Sequence, residues 1–222
     1  MALDSDLTPV EERVLGCLIE KGITTPEYYP LTLNSLTTAC NQKSNRHPVV
    51  EFDEKTVVRA LDSLRDRELA RVVSGADMRV PRYYHRFAEV MELDEKEVAV
   101  LGELMLRGPQ TVGELRGRAS RMAPFTELAE VSAVLEGLAS RQLVAQLPRQ
   151  PGRKESRWAH LLAGAPGVEE GEEEAEPRPE AARRQVRAED ERLAALEKEV
   201  AGLRQEVAAL GQQLAEFRQQ FE

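Results

Sequence analysis

The sequence predicts a mainly α chain with small β-ribbons: two tandem winged helix-turn-helix domains, a disordered acidic linker and a C-terminal coiled-coil helix. Three observations carry this. Residues 31–85 read as helix, polar loop, helix and two-stranded ribbon; that order begins again near Leu93; and apolar residues recur every three and four positions from Leu193 to Phe221.

The first helix opens at Thr8-Pro9-x-Glu11, where Thr8 is a good N-cap, Pro9 fits the first helical position and Glu11 completes a capping box. Val14, Leu15, Leu18 and Ile19 form its buried stripe, and Gly22 is the expected end. Two prolines make ITTPEYYP extended. Leu33, Leu36 and Ala39–Cys40 give a short helix, and Val57, Leu61 and Leu64 the stripe of a longer one. Two β-type runs, Ala70–Ser74 and Val80–His85, flank a turn with Gly75 and Asp77. These elements make a first domain over 1–90.

The second domain, 91–162, is a repeat of the first. LDEKEVAVLGELMLRG (93–108) aligns with LTPVEERVLGCLIEKG (7–22), setting Val100-Leu101-Gly102 on Val14-Leu15-Gly16. LEGLASRQL (135–143) aligns with LDSLRDREL (61–69), which places the third helix near 126–141, and Arg157-Trp158-Ala159-His160 aligns with Arg82-Tyr83-Tyr84-His85. Such self-similarity marks a duplicated unit.

Residues 163–180 are rich in Gly, Pro and Glu, a composition that buries too little apolar surface to offset chain entropy. In 181–222, heptad positions a hold Leu193, Val200, Val207, Leu214 and Phe221, and positions d hold Leu196, Leu203, Leu210 and Phe217. A sustained 3.5-residue period specifies a supercoil, and β-branched residues at a with Leu at d lean toward a parallel homodimer. In that register Arg192 meets Glu197 and Glu199 meets Arg204 across the seam, while Gly202 and Gly211 weaken the helix.

Composition narrows the function. The formal charge is −9, but residues 1–162 hold 22 Lys/Arg against 24 Asp/Glu, so the acidity belongs mainly to the tail. No apolar run is long enough for a membrane span and the start lacks a basic signal region, so a cytoplasmic protein is expected. Cys17 and Cys40 sit among apolar residues and are expected as small buried hydrophobes. His47, His85 and His160 lie in unrelated contexts, and there is no phosphate-cradling loop or nucleophile elbow. No catalytic, cofactor or metal site is therefore expected, and the chain reads as a non-enzyme.

The loop Asn41-Gln42-Lys43-Ser44-Asn45-Arg46-His47-Pro48 is the densest polar cluster. It occupies the position from which a helix-turn-helix protein touches DNA phosphates, with Lys43 and Arg46 as its cations. These residue types serve turns equally well, Asn41 as a helix C-cap and Pro48 as a stop. The order TPVEERVLGCLIEKGITTPEYYPLTLNSLTTACNQKSNRHPVV, continued by EKTVVRALDSLRDRELARVV and RYYHRF, resembles the YceH-like family of uncharacterised bacterial proteins over about residues 1–162. That resemblance implies tandem winged helices and no particular activity, ligand or catalytic residue.

For DNA, the third helix of the first copy offers Lys55 and Arg59, with Arg65, but among Glu54, Asp62 and Asp66. Its counterpart in the second copy carries Glu127, Glu130 and Glu136 and is a poor groove reader. The second wing concentrates Arg149, Arg153, Lys154 and Arg157 around a Pro-Gly turn, suited to backbone or minor-groove contact. The leading expectation is a dimeric DNA-binding, transcription-regulator-like protein. The alternative is an adaptor that docks a protein partner on its winged helices and coiled coil.

Overall fold

A computed structural model describes residues 6–74, 80–150 and 152–164. They belong to one compact unit, Met1–Gly167. The turn holding Gly75 and Asp77, residues 165–180 of the acidic linker and the heptad residues Leu193, Leu196, Val200, Leu203, Val207, Leu210, Leu214, Phe217 and Phe221 lie outside the described residues.

The described fold is mainly helical, with two small antiparallel sheets. Helix α1 (Pro9–Thr24) begins in the capping box of Thr8 and Glu11. It runs past Gly22, correcting the expected end. Thr24 and Thr25 donate their hydroxyls to the carbonyls of Glu20 (2.8 Å) and Lys21 (3.1 Å), which satisfies the last turn without a glycine. A short 3-10 turn, Pro26–Tyr28, interrupts the segment expected to be extended.

Strand β1 (Leu31–Thr32), α2 (Leu33–Cys40), α3 (Glu54–Asp66), β2 (Ala70–Val73) and β3 (Arg82–His85) complete the first half. The strands are shorter than the expected Ala70–Ser74 and Val80–His85. β3 lies between the other two, with Leu31 opposite Tyr83 and Val72 opposite Tyr83 from the other side. Asn41 clasps the α2–α3 connection: its side-chain amide donates to Phe52 O and its Oδ1 accepts from Phe52 N, both at 2.8 Å.

A short helix, α4 (Phe87–Met91), leads into the second half and buries Phe87 and Met91 completely or nearly so. α5 (Glu95–Arg107), α6 (Val112–Ala119), α7 (Leu128–Ser140), β4 (Val144–Gln146) and β5 (Trp158–His160) then repeat the order of the first half. α7 is shorter than the expected 126–141. Where β1 pairs Leu31 with Tyr83, the second half keeps a single bridge from Gln110 to Trp158.

The two halves agree in fine detail. Asp94 and Glu97 form at α5 the capping box that Thr8 and Glu11 form at α1. α3 and α7 end alike. Glu68 and Gln142 take left-handed φ of 59° and 57°, and Leu69 N and Leu143 N reach back to Leu64 O and Leu138 O.

α1 and α5 form the most extensive helix–helix contact. A β-carbon on Gly16 would lie 3.0 Å from Leu106 Cδ2 and 3.2 Å from Met105 Cβ, and one on Gly102 would lie 2.9 Å from Ile19 Cγ2. The duplicated Val-Leu-Gly is thus the place where the two copies meet. One apolar core runs through both halves, including Leu15, Leu18, Leu61 and Leu64 with Leu101, Leu104, Leu135 and Leu138. Polar bonds add to it: His160 Nε2 lies 2.7 Å from Glu12 Oε1, and Leu7 N donates to Leu162 O at 2.7 Å.

Candidate nucleic-acid interface

The 41–48 loop folds inward at one residue and outward at another. Asn45 turns the chain with φ 54°, and the next residue, Arg46, enters the interior. Its guanidinium lies 2.5 Å from Glu20 Oε2, donates through Nε to Ala39 O (3.0 Å) and through Nη1 to Asn45 O (2.8 Å), and reaches Gln42 Oε1 (3.2 Å). The expectation that Arg46 contacts a phosphate is corrected: its side chain is fully buried and its donors are committed to the protein. Lys43, by contrast, is exposed.

Around Glu20 the halves share charges. Arg121, two residues past the end of α6, lies 2.5 Å from Glu20 Oε1 and 3.3 Å from Glu103 Oε2. Asn45 donates to the same two carboxylates, at 3.2 and 3.4 Å, and accepts from Arg107 at 3.3 Å. His47 N donates to Leu106 O at 2.9 Å. Burial raises the Glu20 carboxyl, but the Arg46 hydrogen bond and the charges of Arg46 and Arg121 outweigh it, holding it below the ordinary carboxylate value. A buried carboxylate kept ionised this way fixes the loop against α5 and α6.

The same contacts continue to the second wing. Arg118 donates to Gln110 Oε1 (2.7 Å) and sits 3.4 Å from Glu114, the acid of the α6 capping box. Arg157 donates to Pro109 O (3.1 Å) and reaches the same Glu114 at 3.9 Å. Beyond Arg157 the hairpin carries Arg149 and Lys154 exposed and Arg153 partly so. The loop, the α5–α6 segment and the wing are therefore strung together by bonds.

Their charge is lopsided. Residues 41–48, 107–121 and 147–157 hold ten of the 22 cations in 1–162 and two of the 24 carboxylates, Glu114 and Glu155. The sequence reading weighed the 41–48 loop, the third helices and the second wing, and passed over Arg107, Arg116, Arg118 and Arg121 in the segment between α5 and α7. The signal was present in RGPQTVGELRGRASR, four arginines against one acid. On α3, Lys55 and Arg59 are exposed, but Arg65 is engaged by Asp62 at 3.0 Å. Glu127, at the N-cap of α7, and Glu136 are exposed, and Glu130 of α7 pairs with Lys96 at 2.9 Å. Among the described residues no group of three or more His, Cys, Asp or Glu is placed to hold a metal ion, and no helix is long and apolar enough to cross a membrane.

Fold and site together define a class: an internally repeated, mainly helical protein with small antiparallel sheets and a basic band joining its halves. The chain belongs to the bacterial family described as "Protein of unknown function, DUF480", which it matches over residues 7–153. It is 62% identical over 190 residues to the UPF0502 protein GSU0233 of Geobacter sulfurreducens, covering 84% of this chain and 85% of that one. It is 59% identical over 193 residues to a UPF0502 protein of Geobacter metallireducens (86% and 87% covered). A UPF0502 protein of Opitutus terrae is 54% identical over 176 residues (78% and 76% covered). The YceH-like resemblance is to this same family.

Proposed function

We propose that the chain is a cytoplasmic, non-enzymatic tandem winged-helix protein that binds duplex DNA through its phosphate backbone, as a transcription-regulator-like factor does. The order helix, short strand or bridge, helix, helix, hairpin, present twice, supports the winged-helix reading. The observation that supports the DNA reading is that the three connected segments expose Lys43, Arg116, Arg149 and Lys154 against one exposed carboxylate, Glu155. Phosphate attraction supplies most sequence-independent affinity and needs cations at the surface more than a base-reading helix. The acidic α7 is excluded from the contact. Lys43, Arg116, Arg149, Arg153 and Lys154 are placed in it, with Lys55 and Arg59 contributing from α3.

A salt titration of binding to a random-sequence duplex tests this. Wild-type affinity falls with rising salt, at a slope of about 0.9 per phosphate neutralised, and Arg153→Glu with Lys154→Glu lowers both affinity and slope. No salt-dependent binding at low ionic strength would exclude the DNA reading. The adaptor alternative would then take its place, with the acidic face of α7, where Glu136 is exposed, offered to a protein partner.

A further inference from the structure

We infer that the β4–β5 hairpin enters the minor groove of A·T-rich duplex DNA tip first, with Gln150 and Arg153 donating to base edges and Arg149 and Lys154 meeting the phosphates on either side. This rests on the DNA reading above and names the groove and the base composition that the hairpin takes.

The hairpin is tight at its tip and fixed at its root. Arg153 N donates to Gln150 O at 3.1 Å, closing the turn Gln150-Pro151-Gly152-Arg153. Gly152 takes φ 81°, the left-handed value that the third residue of a type II turn requires. Among the described residues nothing lies within 4 Å of a β-carbon placed on Gly152, so the tip stands clear of the body. At the root, Leu147 N donates to Arg157 O at 2.7 Å, and Trp158 and Gln110 exchange backbone bonds of 2.7 and 3.0 Å. Arg157 donates to Pro109 O at 3.1 Å.

The placing of the cations favours a tip-first contact. β4 and β5 themselves carry none, so the ribbon has no charged face to lay along a major groove, and α7, the helix that would enter one, is acidic. Arg149 precedes the turn on one arm and Lys154 follows it on the other, both exposed. Arms about 5 Å apart, each with a cation, match the two phosphate strands that flank a groove about 6 Å wide. Glu155, the exposed carboxylate of the hairpin, lies one residue farther from the turn.

Gln150 and Arg153 close the turn side by side, within about 7 Å at Cα. An A·T pair shows only acceptors in the minor groove, adenine N3 and thymine O2, whereas a G·C pair adds the guanine amino donor. Arg153 has donors only, and the Gln150 amide supplies two more. The narrow minor groove of A-tracts also has an enhanced negative potential that draws arginine in.

Fluorescence anisotropy with the full chain and three duplexes of equal length tests this: an A·T duplex, a G·C duplex, and that G·C sequence with inosine in place of guanine. Inosine lacks only the minor-groove amino group and keeps the major groove of G·C. The A·T and inosine duplexes are expected to bind about tenfold more tightly than G·C, the discrimination of one or two base-edge contacts. Gln150→Ala with Arg153→Lys keeps the charge on an exposed turn, so it is expected to bind all three alike with its melting temperature and salt dependence unchanged. Equal wild-type affinity for the three duplexes, an inosine duplex that behaves as G·C, or a preference that survives in the double variant would each overturn the assignment, while salt-dependent binding left the DNA reading standing. Failure to bind any of the three at low ionic strength would overturn both.

Discussion

Arg46 Nη2 lies 2.5 Å from Glu20 Oε2, and 0% and 2% of the two side chains meet solvent. Removing one partner of such a pair leaves the other charged, buried and short of bonds. Arg46→Ala is therefore expected to lower stability by about 3–5 kcal/mol. Lys43→Ala, three residues away and exposed, is expected to change it by less than about 0.5 kcal/mol. Urea denaturation of the two variants checks this, and an unchanged midpoint for Arg46→Ala removes the structural role given to it.

Glycines in the helices divide by what a methyl group would meet. At Gly102 it meets Ile19 Cγ2 at 2.9 Å, whereas at Gly137 nothing lies within 4 Å. Overpacking costs about 1–3 kcal/mol and replacing glycine in a helix returns about 1 kcal/mol. Gly102→Ala is expected to destabilise and Gly137→Ala to stabilise. Melting temperatures moving in opposite directions are the result to look for.

His85 is held by burial well below the ordinary imidazole value, at about 4, with Glu89 opposing weakly. Its backbone N–H donates to the Tyr29 hydroxyl (2.7 Å), and its Nδ1 has no partner. The folded state thus binds fewer protons here than the unfolded state between pH 6.5 and 4. The stabilisation is complete above about pH 6.5 and is lost as pH falls toward 4, by on the order of 3 kcal/mol at most. Stability measured across this range should fall for wild type relative to His85→Gln as pH drops from 6.5 to 4; parallel curves would rule His85 out as the source.

The heptad seam from Leu193 to Phe221 is expected to make the full chain a dimer, and Val200→Asp with Val207→Asp to make it a monomer by placing charge in the seam. Light scattering at micromolar concentration decides. A wild-type monomer would exclude the coiled-coil assembly.

Local chemistry made the helices legible. Thr8, Glu11 and the Val-Leu-Gly repeat place α1 and α5 to within a few residues, because caps and apolar stripes act over one or two turns. Gly22 misled, since hydroxyls of Thr24 and Thr25 closed the helix instead. Arg46 misled for a different reason. Its partner is 26 residues away in α1, and Arg121 reaches Glu20 across 101, so no local pattern marks which arginine in a polar loop is drawn inside. The connected basic segments were readable as counts of charge, but only folding joins them.

The meeting of Gly16 with Met105 and of Gly102 with Ile19 is reciprocal, each copy offering the other the same surface. Between two separate chains this would be an isologous contact, and it would come apart on dilution. Written within one chain, it is held at an effective concentration fixed by the short α4 connection. The paired halves thus persist however scarce the protein is.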